Sequence, residues 1–153
     1  MADLKIRDAD DSDAPRIADL YVELKEHHGR IQPGNPRYLV ERSDWLAQTK
    51  RAIEDAGIVI KVAELGGDVV GFTKLSFAEK PWGLSCEVNT LVVAEGHRKR
   101  GVGAALMEAA ASVGREHGCK GIRADVLLGN DDAVRFYERL GYEATSIRHA
   151  KSL

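Results

Sequence analysis

The sequence predicts an α+β fold: a mixed, mostly antiparallel sheet whose antiparallel part comes first and whose second half holds one parallel pair. Two observations carry this expectation. Three β-rich segments between Ile58 and Val93 follow one another through short turns, which reads as an antiparallel meander. A helical segment then separates the last of them from a further strand starting at Lys120, and a crossover helix joins parallel neighbours. At 153 residues, the chain has the size of one domain, residues 1–153, with ample length for a full core.

Leu4-Lys5-Ile6-Arg7 alternates and predicts a short first strand. Asp10, Asp11, Ser12 and Asp13 offer helix caps, and Pro15 is tolerated in a first turn. Ile17, Leu20, Tyr21 and Leu24 share a face, so a helix is expected from Asp13 to His27, ended by Gly29. Arg30 to Asn35, followed by Pro36, reads as a loop. A second helix is expected over Arg37 to Ala56, with Tyr38, Trp45, Leu46 and Ile53 as its apolar contacts. Ile58–Leu65 and Val69–Phe77 form a hairpin around Gly66-Gly67-Asp68. Lys80-Pro81-Trp82-Gly83 leads into the strand Leu84–Val93. A helix from Gly101 to His117 follows, stopped by Gly118, then a strand from Lys120 to Leu128. Ala133, Phe136, Tyr137 and Leu140 share one face of a last helix capped by Gly141, and Tyr142 to Lys151 reads as a final strand.

Hydrophobic residues make up 44% and charged residues 30%, the balance of an ordinary globular domain. A formal net charge of -2 gives no support for a nucleic-acid binder, which carries a basic surplus. Two isolated cysteines, Cys86 and Cys119, fit buried free thiols rather than a disulfide framework or a metal site. Met-Ala-Asp-Leu-Lys lacks the apolar core of a signal peptide, and no apolar run reaches membrane-spanning length. The expectation is a cytoplasmic protein without metal or membrane attachment.

Chemistry concentrates in Glu87–Leu106. An apolar strand, Val88–Val93, runs into Gly96-His97-Arg98-Lys99-Arg100-Gly101-Val102-Gly103, where a helix opens. Free backbone N–H groups and the helix dipole favour an anion there, and glycines let it approach the backbone. The three cations alone would read as a solvated turn; two glycines in a strand–helix context point to a phosphate or pyrophosphate. No G-x-x-x-x-G-K-[ST] or G-x-G-x-x-G is present, which argues against an unrelated nucleotide-binding protein.

Arg98-x-x-Gly101-x-Gly103 after an apolar strand resembles the acyl-CoA-binding motif of the GNAT superfamily of N-acetyltransferases. Asn130, followed by Ala133-x-x-Phe136-Tyr137-x-x-x-Gly141-Tyr142, is similar to that superfamily's second signature. Together they span the C-terminal half. The resemblance implies six or seven strands, helices on both faces, and a parallel pair that splays apart to admit the pantetheine arm of acetyl-CoA. It implies that the backbone from Arg98 through Lys99, Arg100, Gly101, Val102 and Gly103 to Ala104 cradles the pyrophosphate. Leu91, Val92 and Val93 would pair with the pantetheine amides, and Asn130, Ala133, Phe136 and Tyr137 would line the cofactor.

Four tasks remain: holding the thioester, deprotonating an amine, stabilising the carbonyl oxygen and protonating the thiolate. Strand alternation puts Glu87, Asn89, Leu91 and Val93 on one face. Some superfamily members carry a general base at the spacing of Glu87; a solvated strand-end glutamate is the simpler reading. Asn89 stands where relatives often have an acid, and can orient a water or the acceptor but not take a proton. The resemblance makes the Val93 N–H the carbonyl donor and Tyr137 the acid, against the plain reading of a core aromatic. No cysteine occupies a motif position, so direct attack in a ternary complex is expected.

The acceptor is expected to be a small-molecule primary amine. A protein amine, or a non-enzymatic acyl-CoA sensor of the same fold, are the alternatives. The superfamily also admits a homodimer. By resemblance, His27, His28, Tyr38 and Trp45 lie near the acceptor, although each also fits a solvated helix end or the core. Glu26, Glu41 and Asp44 would attract a cationic acceptor, unless they are merely solvated.

Overall fold

The computed structural model describes residues 3–153. One five-stranded sheet has the order β1-β2-β3-β4-β5, formed by Leu4–Asp8, Val59–Leu65, Asp68–Lys80, Gly83–Val93 and Gly121–Ala124. The first four strands pair antiparallel, and β4–β5 is parallel. Helices α1 (Ala14–Ile31) and α2 (Arg42–Glu54) cover one face. Helices α3 (Val102–Glu116) and α4 (Asp131–Arg139) belong to the other.

Two cores result. Ile17, Leu20 and Tyr21 of α1, with Ala52 of α2, bury against Ile60, Val62, Phe72 and Val92. On the opposite face, Val102 and Leu106 pack on Ala63 and Val70, while Met107, Ala110 and Val113 pack on Leu75, Cys86 and Val88. The expected helical face of α1 is therefore the buried one. Its capping signals act one step earlier than expected. Asp10 and Asp13 form a capping box around a 3-10 turn at Asp11–Asp13, and α1 follows directly.

Several boundaries differ, each for a local reason. Helix α1 continues through Gly29 to Ile31, since the left-handed turn that a glycine permits comes at Gly34, φ +81°. Helix α2 starts at Arg42 rather than Arg37, because Pro36–Tyr38 forms a separate 3-10 turn capped by Asn35. Strand β5 ends at Ala124, where pairing with β4 stops at Val88↔Ala124. The strand expected over Tyr142–Lys151 is absent, so the sheet has five strands rather than six or seven. Ile147 is 71% exposed, and a strand that buries no face has little to hold it. Tyr142 nevertheless packs on Tyr137, and Arg148 meets Asp125 at 2.7 Å.

A bulge in β4 sets the site. Leu75 pairs with Val88 and Lys74 with Thr90, leaving Asn89 as an extra residue. Val88 and Val92 are four apart, yet they enter opposite cores. The expected alternation therefore fails. Cys86 and Val88 face α3, so Glu87 faces the α1 side, while Leu91 and Val93 face α3. The Thr90 carbonyl beside the bulge accepts from the buried Thr73 hydroxyl at 2.9 Å.

Candidate active site

Beyond Val88, strand β4 continues as Asn89–Val93 with no partner on its β5 side among the described residues. Below its end, the chain turns through a 3-10 segment, Glu95–His97, into α3. Lys99 has φ +61°, the sole positive φ of a non-glycine among the described residues. Strain of this kind, on the order of 1–3 kcal/mol, is held where surrounding structure demands it. Gly101 takes φ +85° with no atom within 4 Å of an added Cβ, so it serves the turn and leaves open space. No side chain caps α3, and the N–H groups of its first turn have no intrahelical partner.

Gly103 has a different job. An added Cβ would sit 3.2 Å from two ring carbons of Phe136, so its missing side chain makes room for α4. Asn130 accepts from the Ala133 N–H at 3.2 Å and so caps α4, whose Phe136 lies over Gly103 at the start of α3. Arg98 Nε donates to the Val93 carbonyl at 3.1 Å, and its guanidinium lies 3.5 Å from Glu23. Glu23 also accepts from the Glu95 N–H at 2.7 Å, which ties α1 to the loop. Lys99 and Arg100 are exposed and Ala104 is half-buried. Val92 is 3% exposed, so only its main chain is available to a ligand.

The two candidate proton handlers lie on opposite sides of β4. Tyr137 is on the α3 side, edge-on to Phe136 at 5.1 Å and Tyr142 at 5.4 Å, packed against the Val88 cluster. Burial, then the neighbouring Tyr142, pushes its hydroxyl up to about 12, so it keeps its proton throughout the neutral range. Glu87 is on the α1 side and accepts from Arg123 Nε at 2.6 Å; that bond and the carboxylate's charge raise the Arg123 pKa. Asn89 exchanges hydrogen bonds with the Ser76 hydroxyl, 3.0 Å from its amide nitrogen.

On the same side as Glu87, the Tyr21 hydroxyl meets that of Thr90 at 3.2 Å, and Tyr21 stacks on Trp45 with ring centres 4.5 Å apart. His28 lies edge-on to Tyr38 at 5.5 Å; burial, then the charges of Lys25 and His27, lowers it to about 4. The structure thus gathers His28, Tyr38 and Trp45 on the side of the sheet that carries Glu87. Glu26, Glu41 and Asp44 are exposed. Arg123, Glu23 and Ser76 escaped the sequence reading. Arg123 had a signal, a lone cation between Ile122 and Ala124 in an apolar strand, but the contacts of Glu23 depend on tertiary structure alone. Among the described residues, no helix is long and apolar enough to cross a membrane, and no group of three metal-ligating side chains occurs.

The site is thus a mixed sheet open beside an uncapped helix N-terminus, with Glu87 and Tyr137 on opposite sides of the open strand. Residues 15–142 match the acetyltransferase (GNAT) family, and the chain belongs to that family. It is 30% identical to an uncharacterized N-acetyltransferase, YhfO, of Bacillus subtilis (strain 168), over 92% of this chain and 90% of that protein. It is 34% identical to a streptothricin acetyltransferase of Streptomyces lavendulae over 50% of this chain and 39% of the other's length. Among solved structures, the aminoglycoside N-acetyltransferase AAC(6')-Iy in complex with CoA matches with a TM-score of 0.80 and 18% identity, covering 100% of this chain and 96% of that one. The chain is an N-acetyltransferase, and acetyl-CoA is the co-substrate that family membership brings.

Proposed function

We propose that the protein moves an acetyl group from acetyl-CoA to a primary amine of a small molecule by direct attack. The supporting observation is the placement of Glu87 and Tyr137 on opposite sides of β4, beside its unpaired edge. The acyl chain would enter along Asn89–Val93, with the amine arriving from the α1 side and the sulfur lying toward Tyr137. The related streptothricin and aminoglycoside enzymes support a small-molecule acceptor.

The residues that would hold the co-substrate fit an anion and an extended amide chain. The first-turn N–H groups of α3, with Lys99 and Arg100, meet a pyrophosphate, and the main chain of Leu91 to Val93 meets the amides. In the transfer, the amine nitrogen forms a bond to the thioester carbon as the carbon–sulfur bond breaks. The amine's proton passes to Glu87, directly or through a water oriented by Asn89, and the thiolate is met by the Tyr137 hydroxyl. A thiol loses its proton near 8.5, below Tyr137's value of about 12, so full transfer from the tyrosine is uphill. Tyr137 acts mainly by hydrogen-bonding the leaving sulfur, and its removal slows the reaction without stopping it.

Release of CoA thiol with a panel of small primary amines tests the reading. Tyr137→Phe is expected to lower kcat by about 10–10²-fold, as the loss of one hydrogen bond to a charged sulfur implies, while acetyl-CoA affinity stays unchanged. Glu87→Gln is expected to lower kcat/KM by a similar factor. Equal loss of turnover and cofactor affinity in Tyr137→Phe would make that residue structural and remove it from the mechanism.

A further inference from the structure

Two lysines without counter-ions stand on the side of the sheet that carries Glu87. Lys74 lies on β3 at the register of Thr90, with its ammonium 5.5 Å from the Tyr21 ring centre. Lys25, one turn after Tyr21 on α1, holds its ammonium 5.4 Å from the Trp45 ring and 5.7 Å from Tyr38. Both side chains are half-buried. Among the described residues, neither has a carboxylate within salt-bridge distance. Aromatic faces return part of the lost hydration, on the order of 0.5–2 kcal/mol each, but cancel no charge. Burial, then the charge of Lys74, depresses the Lys25 pKa. Like charges placed together away from water are unfavourable unless an anion joins them.

We propose that the acceptor carries an anionic head group, a carboxylate or a phosphate, bound by Lys25 and Lys74 while its amine points toward Glu87. This rests on the proposed function, which makes the α1 side the acceptor side. Ser76, the cross-strand partner of Glu87, is two residues from Lys74 along β3, roughly 7 Å. A few-carbon spacer between amine and anion, with the reach of the lysine side chains, covers that distance. The same pair repels an acceptor with several ammonium groups and no anion. The substrate class is therefore a small amino acid or aminoalkyl phosphate rather than a polycation.

Saturation-transfer NMR on the full chain, with CoA present, tests this without turnover. The probes are ω-aminocarboxylates and aminoalkyl phosphates of increasing length, each beside its neutral amide or alcohol, together with a polyamine. The anionic members are expected to bind at least about tenfold more tightly than their neutral counterparts, as one charge-assisted contact allows. The two anionic series, compared at equal length, identify the head group. The double variant Lys25→Gln/Lys74→Gln is expected to erase the difference, and Lys25→Arg/Lys74→Arg to restore it, which separates charge from folding. Equal binding of charged and neutral members, preference for the polyamine, or binding of none overturns the inference. Thiol release from acetyl-CoA with the same amines, in samples free of added CoA, reports separately on the proposed function: its absence with every amine would remove that function, whatever the binding preference.

Discussion

His28 shows how one side chain couples the α1 side of the sheet to pH. Its imidazole lies edge-on to Tyr38, and burial together with nearby Lys25 lowers its pKa to about 4. In the unfolded chain it would titrate near its ordinary value of 6.5. Between those two values the unfolded state binds a proton that the folded state refuses. The stability that His28 contributes is therefore complete above about 6.5 and is lost as the pH falls toward about 4. Thermal melts across that interval are expected to show a falling Tm that His28→Gln flattens; an unchanged slope in the variant would place the proton uptake elsewhere. In the sequence this residue read as a histidine at a helix end or, by resemblance, one near the acceptor. Its surroundings come from the turn at Pro36–Tyr38, which brings Tyr38 back over α1.

Among the elements, the strand–loop–helix unit from β4 to α3 carries the proposed site. Gly101 is its hinge, with φ +85°, and Gly101→Ala forces a Cβ into a left-handed turn at a cost of about 1–2 kcal/mol. In a chain of this size that amounts to roughly 2–8 °C in Tm. Acetyl-CoA affinity is expected to fall together with Tm, whereas Lys5→Gln, at an exposed position on β1, should change neither. A Gly101→Ala variant with wild-type Tm and affinity would show that the turn is not required. Much of this unit was legible, because an apolar strand, clustered glycines and cations, and an apolar helical face are all local patterns. The bulge at Asn89 was not. It depends on how β4 registers against β3, and it moved Glu87 to the opposite side from Leu91. Gly103 was legible as a close approach to backbone, but not that Phe136 packs where its Cβ would be.

Across the whole molecule, a chain of polar contacts sets how α1 sits on the sheet. Arg7 of β1 holds the nearly buried Asp13 with both guanidinium nitrogens, at 2.8 and 2.9 Å, and also reaches Glu64. That clamp orients α1, and α1 in turn delivers Tyr21 to Thr90 and Glu23 to the loop at Glu95 and Arg98. The order of elements and the crossover that makes β4–β5 parallel could be read from the sequence, since they follow from turn spacing and helix length. The missing sixth strand could not, because Tyr142–Lys151 alternates weakly and buries no face. We propose that the open edge of β4 and the uncapped start of α3 together hold acetyl-CoA. Titration calorimetry of the purified chain with acetyl-CoA, beside ATP and NAD, decides this. Saturable binding of acetyl-CoA, with ATP and NAD far weaker, is the predicted result. A folded sample that binds none of the three, or binds ATP or NAD as tightly, would contradict it.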